Sequence, residues 1–147
     1  MSAETKTEVN VQQAVPFLWV ANMEASLRFY VKGLGFETKH RWEDEGRLAW
    51  CWLRLGGASL MLQELRGKRL EAAKSAGKLG NGVSINFTCK DALAIYREVT
   101  ARGIRTQEPF VGNHMWVVRM ADPDGYWMDF ESPTDVEEDT KFSEWKG

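Results

Sequence analysis

Two cysteines, two histidines and four prolines are all that the 147 residues contain of those types, and the net charge is only -2 with a pI near 5.8. Each shortage removes a class of protein. Cys51 and Cys89 both sit inside apolar, strand-like runs. They read as small buried hydrophobes in a reducing cytoplasm, and a disulfide framework or a paired-cysteine metal motif is excluded. So small a charge gives no electrostatic reason to bind a phosphate backbone or an anionic membrane surface, so neither nucleic acid nor membrane is expected as a partner. No run of eighteen apolar residues occurs, and residues 1–13 are polar, without the apolar stretch of an export signal. The expectation is a cytoplasmic protein. A glycine-rich phosphate loop after a strand is missing, and so is any Ser, His and Asp spacing typical of a hydrolase.

What is present in excess is tryptophan, seven in a chain long enough for one ordinary domain. So many large rings cannot all be fully buried, which favours an aromatic-lined pocket or interface. One stretch, Ala121 to Pro133, states a turn, a strand and a candidate site together. Asp122, Pro123 and Gly125 occupy the positions that a type I turn prefers. After it Tyr126, Met128 and Phe130 alternate with Trp127, Asp129 and Glu131, so one strand face is apolar and the other sets two carboxylates beside an indole. That second face is either solvated surface, the usual place for Asp and Glu, or the floor of a site.

The chain before this stretch has the same grammar twice. Val15 to Val20 reads as a strand, Asn22 as the cap of a helix over Met23–Val31, and Gly33 and Gly35 as its end. Phe36 to Trp42, Arg47 to Leu55 and Ala58 to Glu64 read as three further strands. A polar, helix-prone segment, Arg66 to Lys78, reads as a linker with a solvated basic face. Then Val83 to Cys89 reads as a strand, Asp91 as a cap, Ala92–Ala101 as a helix and Gly103 as its end. Asn22 matches Asp91 at an offset of 69; after a one-residue slip Gly35 matches Gly103, Phe36 matches Ile104 and Met61 matches Asp129. The sequence is therefore a tandem repeat of βαβββ, and a copy of about 60 residues buries too little surface to stand alone. The expected fold class is α+β. Its parts are a disordered N-terminus (1–13), one domain over 14–134 with modules at 14–65 and 82–134 and a linker helix at 66–81, and a tail at 135–147.

Three motifs, Pro16 to Phe36, Leu53 to Gln63 and Asp122 to Pro133, together resemble the vicinal oxygen chelate superfamily of glyoxalases, bleomycin-resistance proteins and ring-cleaving dioxygenases. The resemblance implies two βαβββ modules around a concave sheet cleft, often completed in a homodimer. In the enzymes it also implies metal ligands at four positions, which fall here on Val15, Met61, Ser84 and Asp129. Valine has no lone pair, methionine is a soft donor and serine a weak one, so no divalent metal and no other cofactor is expected. His114 could join Asp129 and Glu131 in a displaced site; a lone strand histidine such as it or His40 is more often simply hydrogen bonded.

Without a metal the cleft is described by its other side chains. Phe17, Trp19, Met61, Gln63, Ser84, Asn86, Thr88, Trp127, Asp129 and Glu131 all project to the concave face if the alternation holds. They compose a pocket for a small organic ligand, aromatic or cationic, as in the metal-free bleomycin-resistance branch. The carboxylates favour a cation, and an indole beside them adds roughly 0.5–2 kcal/mol of cation-π attraction when desolvated. The competing readings are packing of the two modules against each other and an enzyme, a lyase, isomerase or epimerase, in which Asp129 or Glu131 is the general base. Arg54 and Arg119 read as surface charges able to hold an anion. Phe142 and Trp145 are too apolar for a free tail and are expected to dock on the body or on a partner subunit.

Overall fold

The computed structural model describes residues 8–147, so the expectation of a disordered N-terminus falls in part outside the described residues; residues 8–13 stand exposed without regular structure. The first module comprises β1 (Phe17–Val20), α1 (Met23–Leu27), β2 (Glu37–Asp44), β3 (Arg47–Leu55) and β4 (Ala58–Glu64). After α2 (Gly67–Ser75) the second module comprises β5 (Ser84–Thr88), α3 (Ala92–Ala101), β6 (Phe110–Gly112), β7 (Met115–Ala121) and β8 (Trp127–Pro133). Each forms a four-stranded mixed sheet of the same topology, β1-β4-β3-β2 and β5-β8-β7-β6. This is the α+β, tandem βαβββ architecture.

The registers reproduce the repeat at residue level. Phe17 lies opposite Met61 in the first sheet, and its counterpart Asn86 lies opposite Asp129 in the second. Equivalent caps start the two helices: the Asn22 carboxamide accepts from Ala25 N at 3.0 Å and the Asp91 carboxylate from Ala94 N at 3.1 Å. The one-residue slip has a structural cause. After Leu27 the helix continues as a π-helical segment, Arg28–Gly33, in which Leu34 N reaches back to Phe29 O. One extra residue is accommodated in that widened turn, as π-bulges generally do. Both helices then end on a glycine at positive φ, Gly35 at 91° and Gly103 at 88°, where a side chain would be strained.

β1 begins two residues later than the alternation suggests, although Pro16 O already accepts from Met61 N. β2 runs on to Asp44, and all eight of its residues are exposed. It is an edge strand whose charges of both signs, on Glu37, Lys39, Arg41, Glu43 and Asp44, discourage pairing with another chain. The inward rows of both sheets make one core: Leu18, Val20, Leu53 and Leu62 from the first module join Phe87, Val118, Met128 and Phe130 from the second. Phe36 and Phe87 meet edge to face across the module boundary, ring centroids 6.2 Å apart.

The Asp122 turn ties the modules together. Asp122, 5% exposed, accepts from the Tyr30 hydroxyl at 2.6 Å and from the backbone N–H groups of Asp124 and Tyr126 at 2.9 Å. The Tyr126 hydroxyl donates to Trp19 O at 2.8 Å, and Asp124 accepts from Ala21 N at 3.2 Å. Gly80 closes over this turn so tightly that a Cβ there would lie 2.1 Å from Tyr126 N. At the C-terminus a short 3₁₀ turn, Phe142–Glu144, seats Phe142 against Tyr96 at 5.2 Å and Trp145 against Trp116 at 5.3 Å.

Candidate functional site

Because inward residues alternate with outward ones, each sheet has a second face turned away from the core, and the candidate residues lie on these two faces. On the first sheet the registers align them in two rows across all four strands. Phe17, Met61, Trp52 and His40 form one row; Trp19, Gln63, Trp50 and Trp42 form the next. Neighbouring strands lie about 4.8 Å apart, so each row spans roughly 14 Å. Phe17, Trp19 and Trp42 are 48%, 45% and 54% exposed; with the half-buried Trp50 and Trp52 they form an aromatic tier, interrupted at β4 by Met61 and Gln63, of a kind that marks an interaction surface. His40 meets Trp52 edge-on at 6.1 Å, and the guanidinium of Arg69 on α2 lies 5.3 Å from the Trp19 ring centre. Sequence reasoning placed Phe17, Trp19, Met61 and Gln63 here; it missed His40, Trp42, Trp50 and Trp52. Trp50 and Trp52 share an alternating phase, but only the strand register shows which outer face they join.

The second sheet presents a polar counterpart. Ser84 and Trp127 lie in one row, Asn86, Asp129 and Arg119 in the next, and Thr88, Glu131 and Val117 in a third. Arg119 is the residue that organises it. Its Nε stands 3.0 Å from Asp129 Oδ1, an ion pair not aligned as a hydrogen bond, and its guanidinium lies 4.4 Å from the Trp127 ring centre. The Ser84 hydroxyl donates to Asp129 Oδ2 at 2.9 Å. The negative charge of Asp129 is thus matched within its own sheet. Glu131 has no ion-pair partner among the described residues.

The positions that would hold a family-type metal do not supply a donor set. Met61 pairs with Phe17 in one sheet, Ser84 is spent on Asp129 in the other, and Val15 offers nothing. Among the described residues no three His, Cys, Asp or Glu side chains come together. His114 does not reach Asp129: it occupies a tight turn at φ 63°, next to Met115, which pairs with Pro133, four residues along β8 from Asp129. Four residues of strand are about 13 Å. Glu64 is likewise engaged, accepting from Met23 N at 2.8 Å and pairing with Arg47 at 2.9 Å and Arg66 at 2.8 Å. Although burial pushes its carboxyl up, those donors hold it below the usual range.

Comparisons with known proteins agree with this geometry. The sequence model described as "Glyoxalase/Bleomycin resistance protein/Dioxygenase superfamily" matches residues 11–130. Among solved structures, TnmS3, an antibiotic binding protein from Streptomyces sp. CB03234, superposes with a TM-score of 0.64 at 19% identity, covering 86% of this chain and 100% of that one. A glyoxalase/bleomycin resistance protein/dioxygenase from Nocardioides gives 0.64 at 17% identity over 90% of both chains. TioX from Micromonospora sp. ML1 gives 0.62 at 17% identity over 86% of this chain and 99% of that one. At such identities the likeness is one of fold. No curated protein gives a significant sequence match.

Proposed function

Because the chain belongs to the glyoxalase/bleomycin resistance protein/dioxygenase superfamily, we propose that it is a metal-independent binding protein for a small organic molecule carrying a planar aromatic group. The observation that carries this reading is the two-row tier of Phe17, Trp19, Trp42, Trp50 and Trp52 in a fold whose four metal positions supply one carboxylate, Asp129, held by Arg119 and Ser84. Stacking on such rings contributes roughly 0.5–1.5 kcal/mol per aromatic pair beyond the area buried. The polar rows of the second sheet, with Glu131 and the Ser84, Asn86 and Thr88 side chains, supply orientation and a preference for a positively charged or neutral ligand over an anion. An antibiotic-binding protein, TnmS3, has this fold, which supports the reading without naming the ligand. The protein acts as a cytoplasmic homodimer in this proposal, since a second copy would cover part of an aromatic face too large to leave in water. In a lyase, isomerase or epimerase with Asp129 or Glu131 as base, Asp129 draws less support because Arg119 and Ser84 hold it, and the role would fall to Glu131.

The test uses acridine and its N-methylacridinium cation, one ring in neutral and charged forms, titrated by calorimetry. Both should bind saturably, and Trp52→Ala and Trp19→Ala should each weaken binding about tenfold, a loss of roughly 1.4 kcal/mol. Binding unchanged in both variants would remove the tier from the function.

A further inference from the structure

The two modules serve as each other's control at their junction, and they differ there in one respect. In the first module the inner helical position Tyr30 and, in the second, the residue just before the closing strand, Tyr126, fill one side of the junction, their hydroxyls donating to Asp122 and to Trp19 O. Under the repeat Tyr30 corresponds to Val99 and Tyr126 to Ala58. Val99 is buried like Tyr30, and the two carbonyls play the same part, accepting from Ile104 N and Phe36 N. Two phenol rings on one side are thus matched by an isopropyl and a methyl on the other. The space they leave is a half-open cavity of about 710 Å³, lined by Ala58 and Val99 together with leucine, isoleucine and phenylalanine side chains from both modules. That volume lies within the range of about 300–1,000 Å³ typical of small-molecule sites.

The polar groups at this cavity follow from the same comparison. In β1, Pro16 O and Val20 O accept from β4, which leaves Trp19 O on the free edge for the Tyr126 hydroxyl. At either end of β5, Val83 O accepts from β8 and Cys89 N donates to it, which turns the backbone N–H and C=O of Asn86 and Thr88 to the other edge, which pairs with no strand among the described residues. Both residues line the cavity. Thr88 is the counterpart of Trp19, so its carbonyl stands where a phenol hydroxyl would bind and no tyrosine is there to do it. Among the described residues the one charged side chain in the lining is Glu98, exposed at the rim.

We propose that this junction cavity is a second ligand site, distinct from the aromatic tier, for a neutral or cationic aromatic molecule that carries one N–H or O–H donor. The ring body takes the place of the missing Tyr side chains against Ala58 and Val99. The donor bonds the free β5 edge at Thr88 O, and Glu98 at the rim disfavours anions.

The probe is N-phenyl-1-naphthylamine, a neutral aromatic amine with one N–H whose fluorescence rises on leaving water. Titrated in saturating N-methylacridinium, which occupies the tier and carries no N–H or O–H donor, it should add saturably at one molecule per chain. Ala58→Tyr and Val99→Tyr, which copy the filled half, should each lower affinity at least tenfold, whereas Trp52→Ala on the tier should change it less than about twofold. In the unmutated protein Cys89 reports independently, because it lines the cavity while Cys51 is fully buried. Saturating probe should slow N-ethylmaleimide modification of Cys89 about fivefold or more. The proposal is overturned if the probe leaves Cys89 reactivity unchanged, if it fails to bind, or if Trp52→Ala abolishes binding that Ala58→Tyr preserves.

Discussion

Replacing Asp124 by Asn should stabilise this protein above pH 6. The Asp124 side chain lies at the module junction, where Oδ1 accepts from Ala21 N and Oδ2 is buried without a partner. Burial, with the neighbouring Asp122 carboxylate adding to it, pushes its pKa from about 3.8 up to about 6, while the Ala21 N–H and, less, Lys74 pull the other way. The folded state therefore binds the proton more tightly than the unfolded one. Stability from this group is fully present below about pH 3.8 and is lost as pH rises through about 6. The ceiling on that loss is about 3 kcal/mol, from a shift of about 2.2 at 1.36 kcal/mol per unit. Since the side chain is only partly buried, screening by solvent reduces this to roughly 1–2 kcal/mol. Asn keeps the acceptor for Ala21 N and carries no charge. Urea unfolding followed by tryptophan fluorescence from pH 4 to 8 should show D124N more stable by roughly 1–2 kcal/mol at pH 7.5, the advantage vanishing toward pH 4. Asp122, also pushed up by burial, remains in both proteins and is relieved of the Asp124 charge in D124N, an effect of the same sign at high pH. A variant less stable at pH 7.5, or a difference independent of pH, would refute the reasoning.

Two further outcomes follow from the same contacts. Tyr30→Phe removes the donor that Asp122 receives at 2.6 Å from a residue 92 positions away, and should cost roughly 1.5–3 kcal/mol in urea unfolding; a change under about 0.5 kcal/mol would mean that this link does not hold the modules together. Deleting residues 140–147 strips Phe142 and Trp145 from Tyr96 and Trp116 and also the backbone bond from Val111 N to Thr140 O. That should lower stability by roughly 2–4 kcal/mol, and an unchanged melting curve would show that the strap carries no load.

Much of this fold is written in local signals that survive without tertiary context. The Asn22 and Asp91 caps, the Asp122 turn and the glycines after each helix specify where elements begin and end, and their duplication exposes the repeat. Even the π-helical insertion leaves a trace as a slip of one residue. The site is less legible because a face belongs to a sheet and not to a strand. Phe36 to Trp42 reads as a strand, but only the register of β2 against β3 brings His40 and Trp42 beside Trp52 and Trp50. Arg119 reads as a surface charge until the β7–β8 register sets it opposite Asp129. The junction cavity is invisible to pattern altogether, since it arises from what Ala58 and Val99 lack relative to residues 68 or 69 positions away.

The central claim is that the aromatic tier of the first sheet binds the ligand, and the seven tryptophans allow it to be tested residue by residue. The measurement is a titration of ¹⁵N-labelled protein with N-methylacridinium in the presence of EDTA, following the assigned indole N–H signals. The account predicts saturable shifts at Trp19, Trp42, Trp50 and Trp52, and none at Trp116 or Trp145 under the C-terminal strap. Signals that stay in place at the tier, or that move only at Trp116 and Trp145, would contradict it.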